Sequence, residues 1–387
     1  MRIVLLVRPG YRYEDVTIRA TFGGLAKAYG RLGHEVDVFC WRKAADSLPL
    51  CEARPWGRVW HLRSVRDLFS SPGGATPAAV LRRSDLAQLL ISGFHAGALL
   101  YRSGLFLWLL LRVRLRGVPV AVNIWDMPPK SEGALGRMLD ASILRYVLGN
   151  SFWITALSSV VRDSVVRDAA DLASLIHIVP NGFDPEEVER ARSRHRSSAR
   201  EGQGKSYVVC GSRLAHYKGI DVLLMAWSAV APEAPGLELR IAGPDQCEGY
   251  FQRLAERLGL SGRVRFLGEL DRAAVMDEMC GSLFFVLPSR TESFGMAALE
   301  AMACGKPVVA TRTGTADYIE DGLSGLLVAP RNPGALAEAM LRLIRDSGLR
   351  EKLGRTARQK IEADYSWEAV ARKYLSVDAG ARRDSAV

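Results

Sequence analysis

Two glutamates, Glu292 and Glu300, stand eight positions apart in the segment ESFGMAALEAMACGKPVVAT, residues 292–311. Between Ser293 and Gly305, Glu300 is the only charged side chain. The small apolar residues around it predict a helix that begins near Gly295 and packs against a sheet. At about 1.5 Å of rise per residue, Glu300 lies roughly 7.5 Å into that helix. Its helix-face neighbours Met296, Ala297, Ala303 and Cys304 can neither solvate nor pair with a carboxylate. Burying an unpaired charge is very costly, so a partner must come from elsewhere. A vicinal diol suits the need, because two hydroxyl donors can meet two carboxylate oxygens. Glu292, in the preceding loop, flanks the helix N-terminus, whose free N–H groups and positive dipole end favour a phosphate or diphosphate. The implied ligand carries a diol at one end, a diphosphate in the middle and a hydroxyl-rich group at the other end, as a nucleotide-sugar does. The other reading leaves Glu300 facing solvent, with the alanines present only because they favour helix.

A departing diphosphate needs positive charge. The loop in GSRLAHYKG, residues 211–219, presents Arg213 and Lys218 after a predicted strand. Many enzymes use a metal held by an Asp-x-Asp pair, and the chain contains no Asp-x-Asp. Arg and Lys can replace the metal as fixed electrostatic stabilisers of the leaving phosphates, so no metal is expected. Gly23 and Gly24, at the start of the first predicted helix, would let backbone amides approach a phosphate closely. Each of these features also has an ordinary counterpart, surface cations in one case and loop glycines in the other.

The elements that must position these residues alternate. MRIVLLV reads as a buried strand, ATFGGLAKAYGRLG as a helix with a glycine stop, and HEVDVFCW as a strand, which opens a parallel sheet with a βαβ unit. Strand-like runs recur at LAQLLIS, VPVAVNIW, FWITALS and LIHIVP. The stretch PNGFDPEEVERARSRHRSSAREGQGKS, residues 180–206, starts with turn residues and turns charged and polar, so it is the expected domain boundary. After it the alternation restarts with SYVVCGSRL, LELRIAGP, RVRFLGEL, SLFFVLPS and KPVVAT as strands. The expected architecture is α/β, with two Rossmann-like domains facing each other across a cleft at the carboxyl ends of their strands.

Composition narrows the partners. Of 387 residues, 48% are hydrophobic and 24% charged, an ordinary globular balance. The net charge of +10 is uneven: residues 1–180 carry +9 and the remainder +1. That excess suits an anionic membrane or a phosphorylated acceptor, although Arg-rich coding alone would produce it. Its scattered placement, without a nucleic-acid motif, argues against nucleic acid. Residues 103–117, SGLFLWLLLRVRLRG, read as a buried crossover helix or as one lying on a membrane with Arg112, Arg114 and Arg116 toward lipid phosphates. The apolar run is too short to span a bilayer, and IVLLV followed by Arg8 is not a secretory signal. The six cysteines form no C-x-x-C pair and read as reduced thiols of a cytoplasmic protein, peripheral at most to the inner membrane face.

Taken in order, Gly23-Gly24 followed by GHEV, VPNGFD at 179–184, GSRLAHYKG, VRFLGEL, the E-x7-E segment, TADYIEDGLSGLLV and YSW at 365–367 resemble the retaining glycosyltransferases of family 4, which have the GT-B fold. The resemblance spans nearly the whole chain. It implies an N-terminal acceptor-binding domain, 1–182 plus a returning helix in 366–387, and a C-terminal nucleotide-sugar-binding domain, 183–365. It implies that Glu300 binds the ribose hydroxyls and Glu292 the transferred sugar, with Arg213 and Lys218 stabilising the leaving diphosphate. Ser293, Phe294 and Gly295 would meet sugar or phosphate through the backbone, and Gly23 and Gly24 would approach the phosphates. The base would lie near Gly268 to Leu270. The activity implied is that of a hexosyltransferase-type enzyme, retaining and metal-independent, that needs no cofactor beyond its donor. The basic first domain suits an acceptor that is a saccharide or a polyprenyl-diphosphate-linked saccharide, as in assembly of a bacterial surface polysaccharide.

Two positions depart from the family. Trp125-Asp126 stands where a His-Asp pair is frequent, which puts the sugar contacts in question; His95, at the end of another predicted strand, could supply an imidazole nearby. Gly314-Thr315-Ala316-Asp317 replaces a frequent Gly-Gly-x-x-Glu, so a small change of loop shape is expected. Two rival functions remain compatible with the pattern: a nucleotide-sugar epimerase of the same fold, and a non-catalytic sugar-nucleotide-binding partner subunit.

Overall fold

The structure is a computed structural model, and it describes residues 1–7, 19–41, 51–62, 77–91, 118–125, 142, 145–167, 169–198 and 206–384. The chain divides into two compact units, Met1–Gly182 with Trp367–Val387, and Phe183–Ser366.

In the first unit, β1 (Arg2–Val7) leads through a short π-helical turn, Arg19–Gly23, into α1 (Gly24–Arg31), and β2 (Glu35–Trp41) follows. Next come β3 (Cys51–Arg54), β4 (Gly57–Leu62), β5 (Leu86–Ile91), β6 (Val120–Ile124), β7 (Ile154–Ala156) and β8 (Ile176–Ile178). They form one sheet in the order β3-β4-β2-β1-β5-β6-β7-β8, parallel except for the antiparallel β3–β4 pair. Strands such as β6 are buried at every residue, as expected for a sheet covered on both faces. The β3–β4 hairpin is an element the sequence reading omitted. Its polar outer strand holds no apolar run, yet Asp37 of β2 is 5% exposed and anchors β4 through Arg58, at 2.7 and 2.9 Å, and Trp60 Nε1, at 2.8 Å. The C-terminal helix, Trp367–Asp384, packs on α1 with Trp367, Val370, Ala371 and Tyr374 buried in that unit's core.

The second unit begins with α2 (Pro185–Ser198), which occupies most of the stretch expected to be a polar boundary segment. Only one narrow stripe of this helix, including Val188 and Ala191, is buried, so its apolar period is faint. Its charges pair outward instead, Arg194 with Asp277 and Glu187 with Arg272. Then follow β9 (Tyr207–Gly211), α3 (Ile220–Val230), β10 (Glu238–Ala242), α4 (Tyr250–Arg257), β11 (Val264–Gly268) and α5 (Arg272–Gly281). The unit continues with β12 (Phe285–Leu287), α6 (Met296–Ala303), β13 (Val308–Thr311), β14 (Leu326–Val328), α7 (Pro333–Arg345) and α8 (Ser347–Asp364).

The six strands are all parallel, in the order β11-β10-β9-β12-β13-β14. This is the doubly wound Rossmann order, and the chain direction across the sheet reverses between β9 and β12. Ligands of such sheets bind in the crevice beyond the carboxyl ends of the two strands at that reversal. The residues there are Ser212–Gly219 after β9 and Pro288–Gly295 after β12. Behind them, α6 lays Ala298, Leu299, Ala301, Met302 and Ala303, all fully buried, against the sheet. Small residues on that face let the helix sit close enough to place its N-terminus at the crevice.

Candidate functional site

The two crevice loops of the second unit are fastened to each other. Gly219 turns at φ +69°, and a Cβ there would lie 2.1 Å from the Pro288 carbonyl oxygen, so only glycine allows the approach. The Arg290 amide donates to the Tyr217 carbonyl at 2.8 Å. The Arg290 guanidinium grips both oxygens of Asp221, the second residue of α3, at 2.7 and 2.5 Å, and also donates to the His216 carbonyl. Bidentate pairs of this kind fix orientation as well as distance. Burial pushes the Asp221 carboxyl up, but the hydrogen bonds and charge of Arg290 outweigh it and hold the group below its ordinary value. Nothing in the sequence pattern singles out Arg290.

This clamp brings Lys218 and Glu292 together. Lys218 Nζ donates to Glu292 Oε2 at 2.6 Å, and Ser289 Oγ donates to the same oxygen at 3.0 Å. Both charged side chains are nearly buried, at 12% and 13% exposure. The Tyr217 ring lies beside them, with Lys218 Nζ 5.3 Å and the Arg213 guanidinium 5.8 Å from its centroid. Arg213 is exposed. Thus the two cations singled out in the sequence flank one ring, and one of the two reaches Glu292.

Glu292 leads directly into the start of α6. Ser293 is half-buried; Phe294 is 2% exposed and packs on Tyr318 at a centroid distance of 5.0 Å. Gly295 caps the helix at φ +88°, where a Cβ would stand 2.8 Å from Thr315 Cγ2. Tyr318 OH donates to the Gly295 carbonyl at 2.7 Å, and no side chain caps the helix N-terminus. Residues Gly314–Asp317, where a change of loop shape is expected, form a short 3-10 turn. The Gly314 amide donates to the Glu292 carbonyl at 3.0 Å, and a Cβ at Gly314 would meet the Ser293 carbonyl oxygen at 2.4 Å. Glycine at 314 is therefore what lets this turn support the loop that carries Glu292.

Glu300 lies one helical turn further in and is 6% exposed. Its own helix face offers no partner, in keeping with the pattern, yet the partner is within the chain. Arg272, the first residue of α5, contacts Glu300 Oε1 at 2.8 Å and Glu187 Oε1 at 2.6 Å. The partner that had to come from elsewhere includes Arg272, which lies far along the sequence and whose pairing depends on how α5 and α6 pack. The alternative of a solvent-facing Glu300 is corrected. Burial raises the Glu300 carboxyl above its ordinary value although Arg272 opposes the rise. The turn from β11 into α5 runs from the last strand residue, Gly268, at φ +69° with open space beside it, past the half-buried Leu270. Asp271 then caps α5 by accepting from the Ala274 amide at 2.8 Å. Gly268 and Leu270 thus sit on the strand-to-helix turn that also delivers Arg272.

In the first unit, Trp125 is half-buried, with its ring 4.8 Å from that of Phe22. Gly23 is the helical cap of α1. A Cβ on Gly24 would fall 2.2 Å from the indole of Trp367, so packing of the C-terminal helix alone requires a glycine there. His95, Asp126 and the Arg-rich segment 103–117 lie outside the described residues. Among the described residues, no group of three or more His, Cys, Asp or Glu side chains could hold a metal ion, and no helix is long and apolar enough to cross a membrane. The six cysteines are free thiols.

Comparison with known proteins agrees with this geometry. The family described as "Glycosyl transferases group 1" matches residues 191–360, and "Glycosyl transferase 4-like domain" matches residues 17–182. Among curated proteins, the chain is 30% identical over 210 residues to a GDP-mannose-dependent monoacylated alpha-(1-6)-phosphatidylinositol monomannoside mannosyltransferase of Corynebacterium glutamicum, covering 51% of this chain and 55% of that protein. The chain spans about half the length of the curated relatives it matches. Among solved structures, sucrose-phosphate synthase from Thermosynechococcus elongatus superposes with a TM-score of 0.72 at 20% identity over 100% of both chains. The Anabaena protein HepE, in complex with UDP and glucose, gives 0.70 at 20% identity over 98% of this chain and 100% of that one. These likenesses establish the two-domain α/β fold shared by those proteins.

Proposed function

The chain belongs to the family 4 glycosyltransferases of GT-B fold, and on that premise we propose that it moves a sugar from a nucleotide-diphosphate-sugar to a saccharide or lipid-linked acceptor. The observation that carries this reading is the Lys218–Glu292 pair, clamped at the strand-order reversal beside the uncapped N-terminus of α6. A diphosphate at that helix end would gain the free amides, the dipole, Lys218 and the exposed Arg213. Glu292, on the same loop, would then face the sugar through its hydroxyls. Glu300 and the turn at Gly268–Leu270 would take the ribose and base. That HepE holds UDP and glucose on the same fold suits such a donor.

Transfer breaks the bond between the anomeric carbon and the diphosphate oxygen and forms one to an acceptor hydroxyl oxygen, whose proton passes to the departing phosphate. Attack on the face the nucleotide leaves retains the anomeric configuration. The cations Arg213 and Lys218 would supply the charge that a metal supplies elsewhere, so the reaction is proposed to need no metal and no further cofactor.

The +9 charge of residues 1–180 supports an acceptor bearing phosphate. A polyprenyl-diphosphate-linked saccharide at the inner membrane face, in surface-polysaccharide assembly, fits it. The test is acceptor-dependent release of nucleoside diphosphate by the purified protein. Release without acceptor would point to an epimerase or hydrolase, and nucleotide binding with no transfer to any acceptor would point to a non-catalytic subunit. Binding to anionic liposomes at low salt tests the membrane part; full activity on soluble acceptors with no liposome binding would overturn it.

A further inference from the structure

The second unit holds another cavity, of about 460 Å³, away from the crevice loops. It lies between α2, α8 and the carboxyl ends of α5 and α6. Six basic side chains line it: Arg192, His195, Arg196, Lys306, Arg355 and Arg358. The one acidic lining residue is Glu351. Some of this charge is spoken for. Arg196 pairs with Glu189 at 2.6 Å, and Arg358 pairs with Glu362 at 2.5 Å.

Three groups are left over. Lys306 and Arg355 form no ion pair among the described residues. Arg192 stands 3.8 Å from Glu189, but its buried Nη1 has no hydrogen-bond partner. Lys306 sits beside the thiols of Cys280 and Cys304, and burial pushes its ammonium below its ordinary value. The same burial, with Lys306 adding to it, lowers His195. An ammonium kept in a crowded, basic and partly desolvated position without a counter-ion is costly, and an anion from outside removes the cost.

The larger cavity of the first unit, about 650 Å³, shows the contrast. Two of its three arginines, Arg2 and Arg58, are answered by Glu35 at 2.9 Å and Asp37 at 2.7 Å, leaving Arg83. A cavity can thus be lined by arginines and still hold little net charge. The smaller one differs in degree, with five lysine and arginine side chains against one lining carboxylate. Its volume lies in the range of small-molecule sites.

We propose that the cavity between α2 and α8 binds a phosphate-bearing ligand through Lys306, Arg355 and Arg192. Arg supplies a fork that matches phosphate oxygens and Lys a point charge, so a phosphomonoester or diphosphate suits the three together. The site is separate from the crevice loops and does not depend on the transferase reading.

The test uses inorganic pyrophosphate as the probe, titrated by calorimetry into the full chain at low salt. Arg355 is exposed, so Arg355→Glu should fold as the wild type does, and thermal unfolding checks this. Arg355→Glu and Lys306→Gln should each weaken one binding event by about tenfold or more. Lys218→Gln should leave that event in place, which separates it from any diphosphate bound at the crevice. Vesicles containing phosphatidic acid, with the same variants, identify the source of the phosphate. Sensitivity to Arg355→Glu in the pyrophosphate arm assigns a soluble ligand, and sensitivity only in the vesicle arm assigns a lipid headgroup. Binding unaffected by both cavity variants, or binding in neither arm, overturns the proposal.

Discussion

Glu292 and Glu300 belong to one motif, and each has a basic partner, but they are held in opposite ways. Glu292 stands on a loop and meets Lys218, a point charge on a flexible stem, with Ser289 sharing the same oxygen. Glu300 stands inside a helix and meets Arg272, a rigid fork that also holds Glu187. The first pair keeps a second donor, Ser289, on the glutamate if its cation is removed. The second cannot lose its cation without leaving a carboxylate stranded among alanines. The difference teaches that spacing along the chain does not determine how a carboxylate is held: two glutamates of one motif are fastened by different cations from different elements.

The sharpest way to break this comparison is to remove each cation in turn. Lys218→Ala should lower kcat for sugar transfer by about 10²–10³-fold, as removal of one preorganised charge-stabilising group does, and should cost less stability than Arg272→Ala because Glu292 keeps the Ser289 hydroxyl. Arg272→Ala should do the reverse, destabilising the second unit by about 3–5 kcal/mol through an uncompensated buried charge. Steady-state kinetics beside denaturant unfolding read both. Equal stability losses would dissolve the distinction.

A smaller effect is expected from the support beneath Glu292. Gly314→Ala places a methyl group against the Ser293 carbonyl oxygen and should cost about 1–3 kcal/mol while displacing the loop that carries Glu292. Arg290→Lys keeps the charge but loses the two-pronged grip on Asp221. It should lower kcat by about tenfold with KM for the donor little changed, as expected of a clamp that only positions Lys218.

The smallest effect is one of pH. Burial raises Glu300 above 4.5, so the folded state holds that proton more tightly than the unfolded chain. Its contribution is present below about 4.5 and is lost as pH rises through the raised folded value. Asp221 runs the other way. Burial pushes it up, Arg290 more than compensates, and the net fall below 3.8 makes its contribution present above that value and lost as pH falls through the lowered one. The stability of Glu300→Gln relative to wild type should therefore improve as pH rises from about 4.5, whereas that of Asp221→Asn should improve as pH falls below 3.8. Thermal unfolding across pH 3 to 7 (about four units, wide enough to span both shifts) would show the two trends cross.

Much of the fold is legible because parallel strands covered on both faces must be continuous apolar runs, as MRIVLLV and SLFFVLP are. The β3–β4 hairpin was not, since its outer strand, CEAR, is held by partners rather than by its own apolar residues. Helix α2 was not legible either, because its period is written in ion pairs. At the site, the Arg213 and Lys218 loop and the Glu292 loop could be read from residue types after strands, but their fastening could not. Arg290 and Arg272 act through partners far away in sequence, which periodicity does not reveal. Gly24 shows the converse: a glycine that suggests a phosphate contact has a packing reason in the Trp367 indole.

The central claim is that the donor binds at the strand-order reversal, with its diphosphate on Lys218 and its sugar on Glu292. A thermal-shift screen of nucleotide-sugars against wild type and Lys218→Ala tests it most directly. One donor, at about 100-fold its Kd, should stabilise the wild type by about 2.7 kcal/mol, and most of that shift should vanish in the variant at the same concentration. An equal shift in both proteins, or none with any nucleotide-sugar, would contradict it.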